Sequence, residues 1–397
     1  MRVIIASRIF MPEPSAASFY LKALAAELVD AGHDVEVLTV TAPGDDVPSS
    51  HAAVRVRRFP VLRDARGYVR GYLQYLSFDV PLFFRLLTAR RADVYVIEPP
   101  PTTGAVARMA TALLRRPYVY DAADVWSDAA TIVTRSRAVL GILRAVETFA
   151  MRGAAHAVTI SDAVAERFAA IGTDTPFTTV GFGVDAETID YLESDPQADS
   201  RLFVYPGTFS EVQGAEILVE GFARFAESTP GYRLVFVGNG THGDRLLARA
   251  RELGVNGVEV LDAVAPVELA RLVADATACV ASLHPDGGYE YAFATKLFTP
   301  MAVGCPVIFA GPGPTAAFLH DAERAQRSGF AVAYDADAVA AALSEIAAAP
   351  LSPNERRLLS SWTRRHHSLA SVARRVTAVV EHVHERHRSS RRSRTSD

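Results

Sequence analysis

Short apolar runs alternate with longer amphipathic stretches along the 397-residue chain. Runs rich in Val, Ile and Phe predict β-strands, whereas stretches of about ten or more residues with apolar positions three or four apart predict helices. In the first half the predicted strands are 3–6, 35–40, 54–59, 94–98, 118–121, 157–160 and 177–180, and the predicted helices are 16–31, 72–89, 104–114, 139–152 and 161–171. This alternation predicts βαβ units and a parallel sheet covered on both faces.

The periodicity weakens at 186–200, an acidic and polar stretch with a proline, which predicts an interdomain linker. It then resumes, with strands at 202–205, 233–237, 258–261, 278–281, 307–310 and 330–333, and helices at 215–227, 243–253, 266–274, 295–303 and 336–348. The sequence therefore predicts an α/β protein of two Rossmann-like parallel-sheet domains, at 1–187 and 201–365. Such domains bind ligands at the carboxyl ends of their strands, so we expect an interdomain cleft.

The C-terminal stretch predicts one more helix at about 369–386, which we expect to pack back on the first domain. The basic tail 388–397 has no apolar residue and is predicted to be disordered, with contact to an anionic lipid or ligand as the alternative. Five histidines fall near this end: His366, His367, His382, His384 and His387. Because no cysteine or paired carboxylate stands at ligand spacing beside them, we predict a solvated helix face and no metal site.

Composition narrows the class of protein. The formal net charge of −4 argues against nucleic acid as a main partner. The two cysteines, Cys279 and Cys305, lie in apolar runs and cannot frame a secreted disulfide scaffold. The N-terminal apolar run is too short for a signal peptide, and charges interrupt every longer run. We therefore expect a cytoplasmic protein that is soluble or at most peripheral to a membrane.

Lysine is scarce in this chain. Of 41 Lys and Arg residues, only Lys22 and Lys296 are lysines, which indicates a coding bias toward arginine. A lysine that persists against this bias is a candidate for a specific role. Lys296 falls in the predicted helix 295–303, and the competing interpretation is an ordinary surface lysine. Lys22 is interpreted as an exposed position on the first long helix.

Several short motifs occur in order along the chain. The first half contains FMPEPSAAS at 10–18, GHDV at 32–35, VTISD at 158–162 and GVD at 183–185; the second contains GTFSEVQG at 207–214, LVFVGNG at 234–240 and TKLFTPMAVGCPVI at 295–308. Together they resemble family 4 glycosyltransferases, which are retaining enzymes with the GT-B fold. The resemblance extends from residue 1 to about 348 and is strongest to bacterial enzymes that build surface polysaccharides.

The resemblance implies a nucleoside diphosphate sugar, with UDP or GDP, as donor substrate and no other cofactor. Lys296 occupies the position of the family's diphosphate-binding basic residue, where a cation stabilises the leaving charge. Relatives keep Arg and Lys near Thr208 and Gln213, and commonly Glu at Thr299, so these positions depart from the family. The implied donor-binding residues are Gly207, Thr208, Gln213, Gly238, Asn239, Lys296, Leu297 and Thr299.

The remaining implied site residues are acidic, aromatic or small. The first glutamate of a family pair would fall at Tyr291, so the adjacent Glu290 either replaces it or is a charged loop residue. Asp124 resembles the Asp of a family Asp-Leu-Trp motif and would bind sugar hydroxyls or orient the acceptor. The catalytic candidates are thus Lys296, Asp124 and Glu290, and the acceptor-side candidates are Glu13, Ser15, Ala16, Ala17, Asp121 and Trp126.

The functional hypothesis is retaining transfer of a sugar to a small-molecule acceptor, such as a natural-product or thiol precursor. The composition, rich in Ala and Arg, resembles that of actinobacteria, which favours antibiotic biosynthesis. A lipid-linked acceptor is the alternative, with the apolar segment 67–90 lying on a membrane or packed as a βαβ crossover. A nucleotide-sugar epimerase is the alternative of another class, and a homodimer is compatible with all three.

Overall fold

The computed structural model describes residues 1–13, 15–42, 52–64, 67, 69, 71–132, 134–186, 201–209, 211–239, 242–285 and 289–393. The chain divides into two compact units. Unit 1 comprises Met1–Gly181 and Leu369–Asp397, and unit 2 comprises Phe182–Ser368. The predicted linker, apart from Ala186, lies outside the described residues.

Unit 1 is built on a parallel sheet, as the alternating pattern predicts. Its strands are β1 (Arg2–Ala6), β2 (Asp34–Val40), β3 (Arg55–Phe59), β4 (Val94–Ile97), β5 (Tyr118–Asp121), β6 (His156–Thr159) and β7 (Phe177–Thr179). Among the described residues the sheet order is β3-β2-β1-β4-β5-β6-β7. Every residue of β1, β4 and β5 is buried, because helices cover both faces of the sheet.

The helices of unit 1 connect these strands as crossovers. They are α1 (Ala16–Asp30), α2 (Tyr72–Thr88), α3 (Pro101–Leu114), α4 (Trp126–Ala129), α5 (Arg137–Gly153) and α6 (Asp162–Ala170), with a 3₁₀ turn at Ala130–Ile132. In the part of the chain that the structure describes, no helix has both the length and the apolar character needed to cross a lipid bilayer.

Unit 2 repeats the plan with another parallel sheet. Its strands are β8 (Leu202–Pro206), β9 (Arg233–Val237), β10 (Val258–Leu261), β11 (Ala278–Ser282), β12 (Val307–Ala310) and β13 (Gly329–Val332). Its helices are α7 (Glu216–Ser228), α8 (Gly243–Glu252), α9 (Pro266–Ala274), α10 (Phe298–Ala302), α11 (Pro314–Ala325), α12 (Ala336–Ala348) and α13 (Pro353–His366). In its described residues the order is β10-β9-β8-β11-β12-β13. Each strand predicted from the sequence is present, with its ends within one residue.

The predicted helix 295–303 is wrong in detail. Thr295–Leu297 form a 3₁₀ turn, and α10 begins only at Phe298. Pro300 is the third residue of α10, where a missing backbone N–H costs nothing because the first turn has no partner for it. Helices α11 and α13 were not predicted, and α13 is missed because its sequence is rich in charge and has few apolar residues.

The C-terminal helix α14 (Leu369–Ser393) returns to unit 1 and packs along α1. Its buried valines Val372, Val376, Val380 and Val383 recur every three or four residues, which places them on one face. The prediction of a disordered tail from 388 is wrong as far as Ser393, because arginine is a good helix former and a helix that is already nucleated extends easily. Residues 394–397 lie outside the described residues.

Both sheets share one topological feature that positions ligands. Strand order reverses between β1 and β4 in unit 1, and between β8 and β11 in unit 2. At such a switch point the loops leaving neighbouring strands diverge to opposite faces and open a crevice at the carboxyl ends. The residues after β1, β4 and β8 are therefore the first places to look for functional side chains.

Candidate functional site

The candidate site of unit 2 lies where β8 ends. Lys296, on the 3₁₀ turn before α10, reaches back to the loop that follows this strand. Its Nζ donates to the backbone oxygen of Thr208 at 2.9 Å and to the hydroxyl of Tyr205 at 2.5 Å. The same Nζ lies 4.1 Å from the centre of the Tyr205 ring, a cation–π distance. The structure thus holds the Lys296 ammonium at the switch point of the second sheet.

The partners of Lys296 are neutral. Within the described part of unit 2, its hydrogen bonds go to a phenol and a carbonyl, and no carboxylate lies at ion-pair distance. Burial lowers the pKa of Lys296 to about 7, because the charged form loses hydration without gaining a counter-charge. An anion placed beside this nitrogen would restore the charged form. The site is therefore suited to bind an anionic group.

Two glycines shape the loop beside Lys296. Gly207 follows β8 with φ of +102°, and Gly238 follows β9 with φ of +151°. A Cβ on Gly238 would lie 2.2 Å from the carbonyl oxygen of Gly207, so only glycine allows the two loops to meet. The N–H of Phe209 also donates to the carbonyl of Asn239 at 3.3 Å. The structure thus brings together Gly207, Thr208, Gly238, Asn239 and Lys296, all predicted as donor-binding residues.

The other predicted residues of unit 2 lie in different settings. Leu297 is buried in the core with 1% exposure, so its side chain is a packing residue. Thr299 is half-buried in α10, and its carbonyl accepts from the N–H of Val303. Gln213 stands in the turn before α7, next to Gly214. Glu290 lies in the loop after β11, and a Cβ on Gly313 would lie 1.9 Å from the Glu290 carbonyl oxygen, so only glycine fits at position 313.

Sequence reasoning missed the aromatic groups around this loop. Tyr205 is the direct partner of Lys296, but on a buried strand it resembles an ordinary core residue. Tyr334 donates from its hydroxyl to the carbonyl of Gly214 at 2.7 Å, and its ring lies 5.1 Å from that of His284. Tyr334 therefore holds the far end of the loop that Lys296 holds at the near end.

The candidate site of unit 1 is a row of polar residues across the carboxyl edge of its sheet. Ile97 of β4 is in register with Ala6 of β1 and with Tyr120 of β5. The next residues along these strands are Ser7, Glu98 and Asp121, so they lie side by side at strand spacing. The hydroxyl of Ser7 donates to Oε2 of Glu98 at 2.9 Å. Of the two carboxylates, Asp121 is a predicted acceptor-side residue and Glu98 was missed.

These two carboxylates are almost completely buried, each with 8% exposure. Burial raises the pKa of Glu98 to about 7, although the positive charge of Arg8 opposes the shift. Burial, and then the charge of Glu98, raise the pKa of Asp121 to about 7, although the Tyr20 hydroxyl opposes this shift. Two such neighbours titrate as a pair, so near pH 7 they hold about one proton between them.

Arg8 is the counter-charge of this row and was also missed. Its guanidinium lies 4.4 Å from the ring centre of Tyr75 and 5.6 Å from that of Trp126, and it donates to the carbonyl of Val69 at 2.8 Å. A signal was present in the sequence, because Ser7 and Arg8 directly follow a predicted strand and Glu98 is the last residue of another. Polar residues at those positions mark the edge where ligands bind.

Two further predicted residues lie in the loop after β5 and at the start of the helix that follows it. Asp124 is half-buried in this loop, and Trp126 begins α4. The backbone N–H of Trp126 donates to Oε1 of Glu147 at 2.6 Å, and its ring meets that of Tyr75 edge-on at 6.4 Å. Trp126 is thus held by packing, and its indole forms part of the aromatic surroundings of Arg8.

The predicted acceptor-side residues at the start of α1 have structural partners. The Ser15 hydroxyl accepts from the N–H of Ser18 at 3.1 Å and caps the helix. Glu13 forms an ion pair with Arg63 at 2.6 Å. Ala16 and Ala17 form the first turn of α1 and contribute backbone N–H groups that have no partner within the helix.

Comparison with known proteins accords with this geometry. A family model described as a glycosyl transferase 4-like domain matches residues 15–183, and one described as glycosyl transferases group 1 matches residues 200–349. No curated protein matches the chain. The two matched ranges correspond to the two parallel-sheet halves and together include most of the chain.

Solved structures with this fold include a sucrose-phosphate synthase and two glycosyltransferases. Sucrose-phosphate synthase from Thermosynechococcus elongatus is 18% identical, with a TM-score of 0.75 over 96% of this chain and 98% of that one. WaaG, a glycosyltransferase involved in lipopolysaccharide biosynthesis, is 16% identical, with a TM-score of 0.64 over 95% and 99%. AviGT4, a glycosyltransferase involved in avilamycin A biosynthesis, is 16% identical, with a TM-score of 0.62 over 97% and 98%. Likeness at this identity shows a shared fold.

The contact between Gly207 and Gly238 generates the first testable expectation. Replacing Gly238 by Ala places a methyl group against a backbone oxygen, so we expect the free energy of unfolding of unit 2 to fall by at least about 3 kcal/mol. Gly254→Ala is the matched control, because Gly254 also has positive φ (+64°) but a Cβ there meets nothing within 4 Å. It should cost about 1 kcal/mol. Equal losses in urea unfolding of the two variants would refute the close-contact argument.

The buried carboxylate pair generates a second expectation, which concerns how the free energy of unfolding depends on pH. A carboxyl whose pKa is raised on folding binds a proton that the unfolded chain releases, so the wild-type protein loses stability as pH rises from about 4 through 7. Glu98→Gln cannot titrate. Its stability relative to wild type should therefore improve by about 1–3 kcal/mol between pH 5 and pH 8. Glu36→Gln, on strand β2 of the same sheet and ion-paired with Arg57, controls for loss of a buried charge. The measurement is thermal unfolding at both pH values, and an unchanged difference for Glu98→Gln contradicts the burial argument.

Proposed function

Because the chain belongs to the GT-B glycosyltransferases, with a glycosyl transferase 4-like domain followed by a group 1 domain, we propose that it transfers a sugar to an acceptor. The donor is a UDP- or GDP-sugar, and the sugar retains its configuration at the anomeric carbon. The predicted GT-B fold is confirmed by the two parallel-sheet units and by the structural relatives. An epimerase is not proposed, because both family models describe glycosyl transferases. The observation that carries the proposal is the half-buried Lys296 ammonium, which has neutral partners at the end of β8.

Sugar transfer needs a cation at the donor diphosphate. The bond from the anomeric carbon to the phosphate oxygen breaks, and negative charge grows on that oxygen. Lys296 would stabilise this charge, together with backbone N–H groups of the loop after Gly207. The acceptor oxygen forms the new bond to the anomeric carbon, and its proton passes to the departing diphosphate. Lys296 is therefore proposed as the catalytic cation, and Thr299 and Glu290 as contacts to the donor.

The preferred acceptor is a small hydroxyl-bearing molecule. Glu98, Asp121 and Asp124 lie at or just beyond the carboxyl edge of the first sheet, with Arg8 beside them. Carboxylates accept hydrogen bonds from hydroxyl groups, and Arg8 keeps part of the negative charge balanced. We assign Asp124 to orienting the acceptor. The neighbouring Trp126 and Tyr75 rings provide the apolar surface on which a sugar or cyclic acceptor packs.

A lipid-linked acceptor is the second candidate, and helix α2 is the observation that favours it. The helix packs as a crossover between β3 and β4, with Phe78, Leu82 and Leu86 buried. Its outer face nevertheless exposes large apolar side chains, each at least 50% exposed: Tyr72, Leu73, Leu76, Val80 and Phe84. An exposed apolar row of this kind suits contact with a membrane surface.

The role of Lys296 is tested by donor binding and turnover across pH. If only the protonated amine binds the diphosphate, donor affinity falls as pH rises above about 7, approaching tenfold per pH unit. Lys296→Arg keeps its charge and should remove this dependence, whereas Lys296→Ala should lose at least about a hundredfold in turnover at every pH. Lys22→Ala, which removes the other lysine, is the control. Near-normal transfer by a folded Lys296→Ala protein would refute the assignment, and NMR of the product's anomeric proton tests retention.

The acceptor class is tested with a labelled donor sugar. The protein is incubated with the labelled UDP- or GDP-sugar and, separately, with the aqueous and the lipid fractions of a cell extract. We expect the label to be transferred in the aqueous fraction. Transfer only in the lipid fraction would instead establish the lipid-linked acceptor, provided that it depends on the exposed face of α2. The double variant Val80→Asp with Phe84→Asp should then abolish transfer, whereas Leu113→Asp with Met109→Asp should keep it. Leu113 and Met109 are exposed apolar residues of the neighbouring helix α3 and serve as the matched control.

A further inference from the structure

The last turns of α14 form one wall of a basic groove on unit 1. The groove lies at the amino ends of β4 and β5, because Asp93 precedes β4 and Arg116 precedes β5. Glu98 follows β4, so the groove is at the opposite edge of the sheet from the Ser7–Glu98–Asp121 row. It encloses about 490 Å³ and is lined by Asp93, Arg116, His384, His387, Arg388, Arg391 and Arg392.

The positive side chains of the groove greatly outnumber the negative ones. Among its lining residues, only Asp93 is acidic. That carboxylate is already shared by the backbone N–H of Arg2 at 2.9 Å and by the guanidinium of Arg116 at 3.3 Å. On α14, Arg388 and Arg391 are three residues apart, so two like charges are neighbours on one helix face and repel each other. An anionic ligand would relieve this repulsion.

The attraction of the helix dipole does not explain the cluster by itself. Basic residues are favourable in the last turns of a helix, where the dipole is negative. Arg116, however, comes from the loop between α3 and β5 and lines the same groove. Cationic side chains therefore converge from two elements on one space. Such convergence is the arrangement that phosphate groups require, because guanidinium groups bind phosphate oxygens in pairs.

His387 gives an independent sign of a missing partner. Burial and the charges of Arg116 and Arg391 lower its pKa, and its ring is hydrogen-bonded to the backbone of Arg115. Its Nε2 is nevertheless buried and has no hydrogen-bond partner among the described residues. A buried polar nitrogen without a partner is costly. Protonated beside a bound anion, this nitrogen would become a donor to it.

We propose that this groove binds a phosphate-class anion of the size of a diphosphate, through Arg116, His387, Arg388 and Arg391. The same chemistry has two sources: a free phosphate or diphosphate in solution, and the phosphate of an anionic lipid headgroup. Bound anion would join the end of α14 to the edge of the sheet at Arg116. The groove shares no lining residue with the Lys296 region, and the proposal does not depend on the proposed sugar transfer.

The proposal is tested by calorimetric titration of pyrophosphate into the full-length Lys296→Ala protein, so that binding at Lys296 does not contribute. We expect one site, weakened at least about tenfold by Arg388→Gln with Arg391→Gln. The matched control is Arg374→Gln with Arg386→Gln, which changes two exposed arginines of α14 outside the groove and should bind as the parent. Thermal unfolding of each variant checks that α14 still packs on α1.

A second arm separates the two sources of phosphate. The same proteins are floated with vesicles of phosphatidylglycerol or of phosphatidylcholine. Binding of free pyrophosphate that depends on Arg388 and Arg391 supports a soluble anion. Flotation with phosphatidylglycerol alone, with the same dependence and no pyrophosphate binding, assigns a lipid phosphate. Binding of neither ligand, or equal binding by the two double variants, overturns the proposal.

Discussion

Burial of both faces of each sheet is the constraint on which the rest of this protein depends. The central strands can carry only side chains that tolerate complete removal from water, so polar chemistry is displaced to the last residue of each strand or to the residues just after it. In unit 1 this places Ser7, Glu98 and Asp121 in one row. In unit 2 it places Gly207 and Thr208 at the end of β8, where Lys296 reaches them.

The same burial then sets the charge of both candidate sites. Loss of hydration lowers the pKa of Lys296 and raises those of Glu98 and Asp121, and all three arrive at about 7. Each site is thereby held close to neutral before any ligand binds. A diphosphate beside Lys296, or a hydroxyl-bearing acceptor beside the carboxylates, meets groups whose protonation responds to its arrival. Groups in this state are favourable for binding and proton transfer near neutral pH.

Helix α14 shows how one element serves two purposes through its two faces. Its valines at intervals of three and four pack on α1 and complete the core of unit 1. The basic residues of its last turns extend past this core to the edge near Arg116. Composition alone predicted a disordered tail from residue 388, because composition reflects the charge of the tail. It carries no information on the preceding turns of α14, from which the helix extends.

The sequence by itself determined the order and ends of the strands, the parallel α/β plan and the identity of Lys296, Gly207 and Gly238. These rest on local periodicity, on the few conformations that only glycine adopts, and on motifs a few residues long. Only the tertiary structure decided that Tyr205 is the partner of Lys296, 91 residues away, and that Glu98 lies beside Asp121. The helix α13, with Leu359 and Thr363 buried, was likewise decided by packing. Strand register and long-range burial bring together residues that are far apart in the sequence, and no local sequence pattern predicts such contacts. These contacts shift the pKa values of Lys296, Glu98 and Asp121, on which the proposed chemistry depends.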